Sequence, residues 1–584
     1  MILRTALLSL LAGAGMAATV REALPERTLA VVELPAPATA AAKLEGTRLG
    51  AYLLDRGRRD AVLALLRKHQ ADEMRAFEEG MAKVGMGMDD LAGLLAGRCG
   101  VAVAAHRHPE RGAQVLITMW TEPGEALVGK MVAAVERLAA DGTVKMVAEE
   151  LVGRRVLSVT GSDVQADSAE PMAMLVADGG RMLAFVGEQR EAADLRTLAG
   201  ETLTRLAGTG EGGMQARLQA TPFLARGPAG TPLIEAVFDP RPLLASLPEA
   251  ERAEVMPKLV AMGVDQSHGA AMGMSIDEGG VLRTSMRIHA PAPRRGIPAM
   301  LDDAALTPPA IPAWADASVV SFMSLAVDLR RMYERVRELT VAISPDSALG
   351  FDMANTQASG MLGHDIPTLL AAFKGPIIAM AYPKPKADQR AAGEGVEAPA
   401  ASAQQDPVVF ALPLADEAML KGVVRKLIPL AGGAVALEDE PEAMTIRSPM
   451  ADTVSAAIAR GHLVIAVGKD LLARALGNLA TPPAGEAALA TQPWVRRALA
   501  QIQPGPTVGL ALEHQREAVG GAMDDLLGIL LSQAFAGADG LGDELRRIIP
   551  DSAQTREMFD VGGGSLRMVA DGWAFDSAGL LPLR

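Results

Sequence analysis

"GMGMDDLAGLLAGRCGVAVAA", residues 85–105, and "GMLGHDIPTLLAAFKGPIIAMA", residues 360–381, are written to one pattern. Each opens on Gly, reaches an Asp, passes through a short Leu-Leu helical turn to a basic residue and a Gly, and ends in an apolar strand. The echo extends both ways. "TLAVVELPA" (28–36) answers "ASVVSFMSLAVD" (317–328), and the strand, acidic turn and helix of 113–139 return at 407–431. "GRMLAFVGEQREAADLRTLA" (180–199) answers "GHLVIAVGKDLLARALGNLA" (461–480), strand into helix through a Gly turn. Residues 231–247 answer 506–523, and both stretches close on a hairpin, 270–290 and 557–575. The strands are apolar runs, and in the helices apolar positions recur near a 3.6-residue period.

One order kept through both halves predicts duplication of a whole module, residues 28–290 and 317–575. Strands in consecutive pairs alternating with helices predict mostly antiparallel sheets with helices packed on one face. The fold class is therefore α+β, in two tandem copies, and not a doubly wound parallel fold. Between the copies, residues 291–316 are rich in Pro and lack apolar periodicity, as a linker does. Residues 383–406 lie between two paired strands of the second module, where the first has only "HRHPERG" (106–112). Such an insertion reads as a disordered hairpin tip that can be shortened without loss of folding.

The blocks "ERTLAVVELPA" with "TRLGAYLLD", "GMDDLAGLLAGRCGVAV" and "IPAWADASVVSFMSLAVDLRRMYERV" resemble a family of exported bacterial proteins of unknown function. That resemblance implies a repeated α+β unit in which an Asp-initiated helix runs into a Gly and a strand. It brings no catalytic residue to carry over.

Length and composition narrow the function. A chain of 584 residues exceeds one ordinary core. Its net charge of −14 repels phosphate backbones, and 3% aromatic residues leave few platforms for stacking bases, so nucleic acid is not an expected partner. Arg4, the apolar run Thr5–Ala14 and small residues at Gly15 and Ala17 read as a signal peptide, residues 1–17, cleaved after Ala17. No later run has the roughly 20 apolar residues a membrane span needs. The expected location is the periplasm or the extracellular space, with no transmembrane segment in the mature chain. Cys99 is the only cysteine, so no intramolecular disulfide forms.

The candidate chemistries are few. Asp89 with Asp90, and Asp365 in the second module, could bind a cation, but at helix starts they read as structural caps. "VGKD" (467–470) and "VGEQ" (186–189) miss the glycine and hydroxyl positions of a phosphate loop and read as turns. "GTGEGG" (208–213) follows a helix, not a strand, and reads as a loop. His106 and His108 with nearby Glu110 form a weak metal candidate. Met86, Met88, Met272 and Met274, in two Met-x-Met stretches, form a weak copper(I) candidate. Cys99 beside Arg98 reads as a small buried hydrophobe.

No catalytic constellation and no cofactor is expected. The leading reading is an exported, non-enzymatic binding or scaffold protein whose partner is an unknown protein or an apolar ligand. The alternatives are a carrier or sensor of an apolar, lipid-like ligand, and an enzyme with an unrecognised site.

Overall fold

The computed structural model describes residues 19–584 apart from 70, 109–111, 163–168, 209–212, 302–307, 384–406, 432–435, 441, 448–453, 469, 504, 506, 519–547, 549 and 551. The first half contributes β1 (Thr28–Leu34), β2 (Cys99–His108), β3 (Gly112–Thr121), β4 (Val144–Leu151), β5 (Arg154–Gly161), β6 (Pro171–Asp178), β7 (Arg181–Glu188), β8 (Thr231–Phe238), β9 (Ala270–Ile276) and β10 (Val281–His289). The second contributes β11 (Ser321–Leu325), β12 (Ile377–Ala381), β13 (Val408–Pro413), β14 (Ala436–Asp439), β15 (Ala443–Arg447), β16 (Val454–Ala459), β17 (His462–Val467), β18 (Thr507–Glu513), β19 (Gly562–Val569) and β20 (Gly572–Leu580).

These strands form one continuous sheet in which every pairing is antiparallel. In the first half the order is β4-β5-β6-β7-β3-β2-β1-β8-β9-β10. From the other edge inward, the second half runs β14-β15-β16-β17-β13-β12-β11-β18-β19-β20. Adding ten to each strand number of the first order gives the second. The halves join where β10 pairs with β20, Ser285 opposite Asp576. Mostly antiparallel α+β architecture is thus what the chain adopts, as one sheet shared by both halves. The outer edges are blunted: β4 carries Lys145, Glu149 and Glu150, and β14 is four residues long with two acids.

Helices pack on both faces, where the alternation had suggested one. On one face, here the packed face, the helix Ala192–Leu206 lies over the first half. Its Asp194 stands 3.0 Å from His106 of β2, and its Arg196 bonds Glu149 of β4. Over the second half the helices Leu471–Ala480 and Pro493–Ala500 bury Val409, Val464 and Leu512. On the opposite face the helix Glu125–Ala140 covers the first half's outer strands, its Glu136 bonding Arg155 at 2.9 Å. At the other end Leu420 and Val424 of the helix Glu417–Leu427 pack on Ile458 and Leu463. Each of these two helices follows the third strand of its half. A crossover reaching the outermost strand from there covers only the strands it passes.

The cores are dense. Trp120, Phe185 and Phe322 are among the largest fully buried side chains. Gly100 permits the first of these, because a Cβ there would come within 2.3 Å of the Trp120 ring on the neighbouring strand. Residues 19–24 enter the first core: Thr19 and Glu22 form a capping box, and Val20, Ala23 and Leu24 are buried. Described parts of 291–316 pack as well. Trp314 and Ala315 join the second core, and Asp316 is held by Arg474 and Asn478. The insertion expected at 383–406 lies, from residue 384 on, outside the described residues. Its flanks close a hairpin, with Tyr382 N–H donating to Pro407 O at 2.9 Å.

Candidate functional site

Between the two covering helices, the central strands leave one face largely open; Ile276 on that face of β9 is buried, and the helix Pro37–Glu45 packs on β8 and β9. Strand alternation and register decide which side chains stand on it. Met119, Val101, Val32, Ala236, Met272 and Met286 are consecutive cross-strand partners from β3 to β10. That row continues through Phe575, Leu566, Gly509 and Leu325. A second row starts at Ile234, Met274 and Thr284, then crosses the middle to Ser577, Gly564, Ala511, Met323, Ala379, Phe410 and Ile465. Val32 is 45%, Met272 40%, Met323 49% and Phe410 39% exposed. Across β8, β9, β10, β20, β19, β18, β11, β12 and β13 the single ionisable side chain on this face is Glu513.

Glu513 faces Gly562, which faces Gly579. The Gln515 amide lies over both glycines: a Cβ on Gly562 would sit 2.6 Å from its Nε2, and one on Gly579 3.1 Å from its Oε1. Burial pushes the Glu513 carboxyl above the usual carboxylate range, against a hydrogen bond from Gln515. In the first half the corresponding position, two residues beyond the alanine facing β1, is Phe238.

The packed face carries charge instead. Glu33, its side chain fully buried, accepts from Arg98 and lies 3.8 Å from Arg21, which also pairs with Glu235 on the adjacent strand. Glu122 lies beside Arg98 and Arg181, and burial raises its carboxyl against both. At the junction of the halves, Asp576 is held by Arg287 at 2.6 Å and by Arg567. Near the ends of β8 and β10, His268 and His289 stack with ring centroids 4.3 Å apart. Thr221 Oγ1 lies 2.8 Å from His268 Nδ1, and the His268 N–H donates to His289 Nδ1. Burial lowers both imidazoles. Asp239, the nearby acid, is engaged by Arg241 through two bonds and by Arg217. Thr221, His268 and Asp239 therefore do not form a nucleophile–base–acid relay.

The residues singled out in the sequence fall apart from one another. His106 pairs with Asp194 on the packed face. His108 ends β2 opposite Gly112, and its side chain and Glu110 lie outside the described residues. Among the described residues no three His, Cys, Asp or Glu side chains cluster as metal ligands. Met86 is a core residue and Met88 is half-buried at a helix start, whereas Met272 and Met274 stand on the open face. The two Met-x-Met stretches thus occupy different environments. Cys99 is buried at the start of β2, and burial pushes its thiol up.

Asp365 caps its helix, Oδ1 accepting from Thr368 N–H at 2.8 Å. Asp89 does not. Its helix begins at Met88, so Gly87 is the N-cap and Asp90 falls at the third helical position, whose side chain reaches back to the Gly87 N–H at 2.9 Å. Asp90 also accepts from Lys130 at 2.7 Å, which leaves Asp89 exposed.

No sequence motif joins the ionic residues Glu33, Arg98, Glu122, Arg181 and Arg21. One signal was available: in "TLAVVELPA" an acid stands at the inward parity of Leu29 and Val31. No family model and no curated protein matches the chain. The substrate-free duplicated taurocyamine kinase from Schistosoma mansoni aligns over 99% of this chain and 84% of its own, at 10% identity and a TM-score of 0.12. That similarity is too slight to carry an argument. No helix among the described residues is long and apolar enough to cross a membrane.

Proposed function

We propose that this is an exported, non-enzymatic binding protein made of two copies of one α+β module, and that the open face of its shared sheet takes an apolar partner. The carrying observation is the pair of uncharged rows, with half-exposed Val, Met and Phe side chains at the centre of a sheet otherwise covered. A contiguous apolar patch of that extent marks an interaction site on a protein in water. Duplication is supported by the strand order, which the second half repeats. Export is supported by the basic and apolar N-terminal segment, with the chain entering the first core at Val20, close behind the expected cleavage point.

The catalytic alternative draws less support. The buried carboxylates of Glu33, Asp316 and Asp576 are each engaged by a guanidinium. The groove of about 500 Å³ beside Arg48, Tyr52, Arg58 and Glu557 is open, and Arg48 there pairs with Glu557.

Nile red, an uncharged apolar dye, tests the reading. The protein should bind it with enhanced fluorescence, and Met272→Glu with Met323→Glu should weaken binding at least tenfold while leaving the unfolding transition in place. Dye binding indifferent to both substitutions would sink the proposal. Mass spectrometry of the mature protein should place its N-terminus near Ala18, and an intact Met1 would refute cleavage.

A further inference from the structure

The open face offers a partner almost nothing polar. Its main-chain groups are spent in the sheet ladders, and its two rows hold no charge. An extended peptide laid across it would bring amides that the floor cannot satisfy, and each buried unpaired amide costs about 1–3 kcal/mol. A hydrocarbon chain brings none. Met323 can conform to such a chain, because an unbranched thioether fills irregular gaps. Beside Ala511 and Gly564 the floor is low. Two hydroxyls border this stretch, Ser321 opposite Glu513 and Ser577 beside Gly564, and one ionisable group, the Glu513 carboxyl with the Gln515 amide laid over Gly562 and Gly579.

Resting on the docking reading above, we infer that the second half of the open face binds a single-headed lipid. Its acyl chain lies along Ala511, Met323, Ala379 and Phe410, and its head donates a hydrogen bond to Glu513. The dimensions agree. From β18 to β13 there are three strand spacings of about 4.8 Å, roughly 14 Å. One leaflet of a bilayer's hydrocarbon core, half of about 30 Å, is nearly the same length. The head is a hydroxyl or an amine and not an acid, because Glu513 and a net charge of −14 both disfavour an anion. The first half, with Phe238 at the matching position, has no such anchor.

The test is native mass spectrometry of the full mature chain after incubation with monooleoylglycerol or with oleate, with thermal melting to confirm folding. Wild type should carry one monooleoylglycerol and bind oleate at least tenfold more weakly. Phe410→Glu should lose the monooleoylglycerol adduct, and Glu513→Gln should keep chain binding while narrowing the preference over oleate to less than threefold. Equal binding of both lipids by wild type would overturn the head assignment. Absence of any adduct, with Nile red still bound in a Met323-dependent way, would overturn the lipid while leaving an apolar docking face. Absence of both would overturn the two together.

Discussion

The two halves of the sheet share a strand order and differ in what they bury. On the packed face of β1 stands Glu33, tied to Arg98; on the packed face of β11 the corresponding position is Ser324, equally inaccessible. Glu235, opposite Glu33, is answered in β18 by Leu510, opposite Ser324. A sheet pairing through its backbone tolerates either solution, because register needs only the right alternation. Buried charge at this pair of central strands is therefore local to the first half and not a requirement of the architecture; the second half buries its carboxylates elsewhere, at Asp316 and Asp576. The open face behaves the other way: from β8 across the junction to β13 both halves keep it uncharged, Glu513 excepted.

The strongest way to break this comparison is to exchange the buried residues. Glu33→Ser leaves Arg98 without its buried carboxylate, a change that typically costs 3–5 kcal/mol, and about 3 is expected here because Arg98 is partly exposed. Ser324→Glu places a carboxylate at a fully inaccessible position where even the native hydroxyl lacks a hydrogen-bond partner among the described residues, and should cost at least as much. Both are read from the midpoint of denaturant unfolding. If Ser324→Glu were harmless, the second half would have a hidden means of accommodating charge, and the contrast would dissolve.

A smaller effect is expected at the second half's own anchor. Asp316 accepts from Ser318, Arg474 and Asn478, and its hydrogen bonds hold its carboxyl below the usual range despite burial. Asp316→Ala should cost about 2 kcal/mol, the order of a lost hydrogen bond to a charged group. A loss below about 0.5 kcal/mol would show that residues 314–316 are not fastened to the second core.

Acid should expose a further difference. Burial depresses His268 and His289 in the first half and His514 in the second. Below the ordinary imidazole pKa of about 6.5 the unfolded chain takes up protons that the folded chain refuses. Stability is then fully present above about pH 6.5 and declines as pH falls toward the depressed folded values. Melting temperatures at pH 7.5 and 5.5 should differ, and His289→Phe should narrow the gap by removing one member of the stacked pair. An unchanged gap would assign the acid response to other groups.

Much of this fold could be read from the chain, because hairpins and strand-to-helix turns leave local marks. The "GRMLAFVG" and "GHLVIAVG" strands fall at matching places in the two orders, β7 and β17. The open face could not be read. "PVVFALP" and "PIIAMA" are apolar at both parities, as strands covered on both faces are, and only three-dimensional packing shows which parity is left uncovered. Cap placement failed for a similar reason: Asp89 and Asp90 are adjacent, and a shift of one residue in the helix start decides which of them reaches the backbone. The ionic residues of the packed face are far apart in sequence, Glu33 from Glu235 above all, so no local motif joins them.

The least effect on stability is expected where the effect on binding is greatest. Phe410 is 39% exposed on β13, between Ala379 and Ile465, and its ring does not enter the second core. Phe410→Ser removes apolar area that water already reaches, and a hydroxyl there remains solvated. Serine does lower β propensity, on a scale spanning about 1 kcal/mol in all, so the expected change is about 0.5 kcal/mol, within the range of ordinary surface substitutions. Removing a fully buried phenylalanine costs about 3–5 kcal/mol. Denaturant unfolding of Phe410→Ser beside Phe322→Ser, the buried aromatic of β11, makes the contrast directly. If the two cost the same, the ring at 410 is covered in solution, and the face described here as open is an interior.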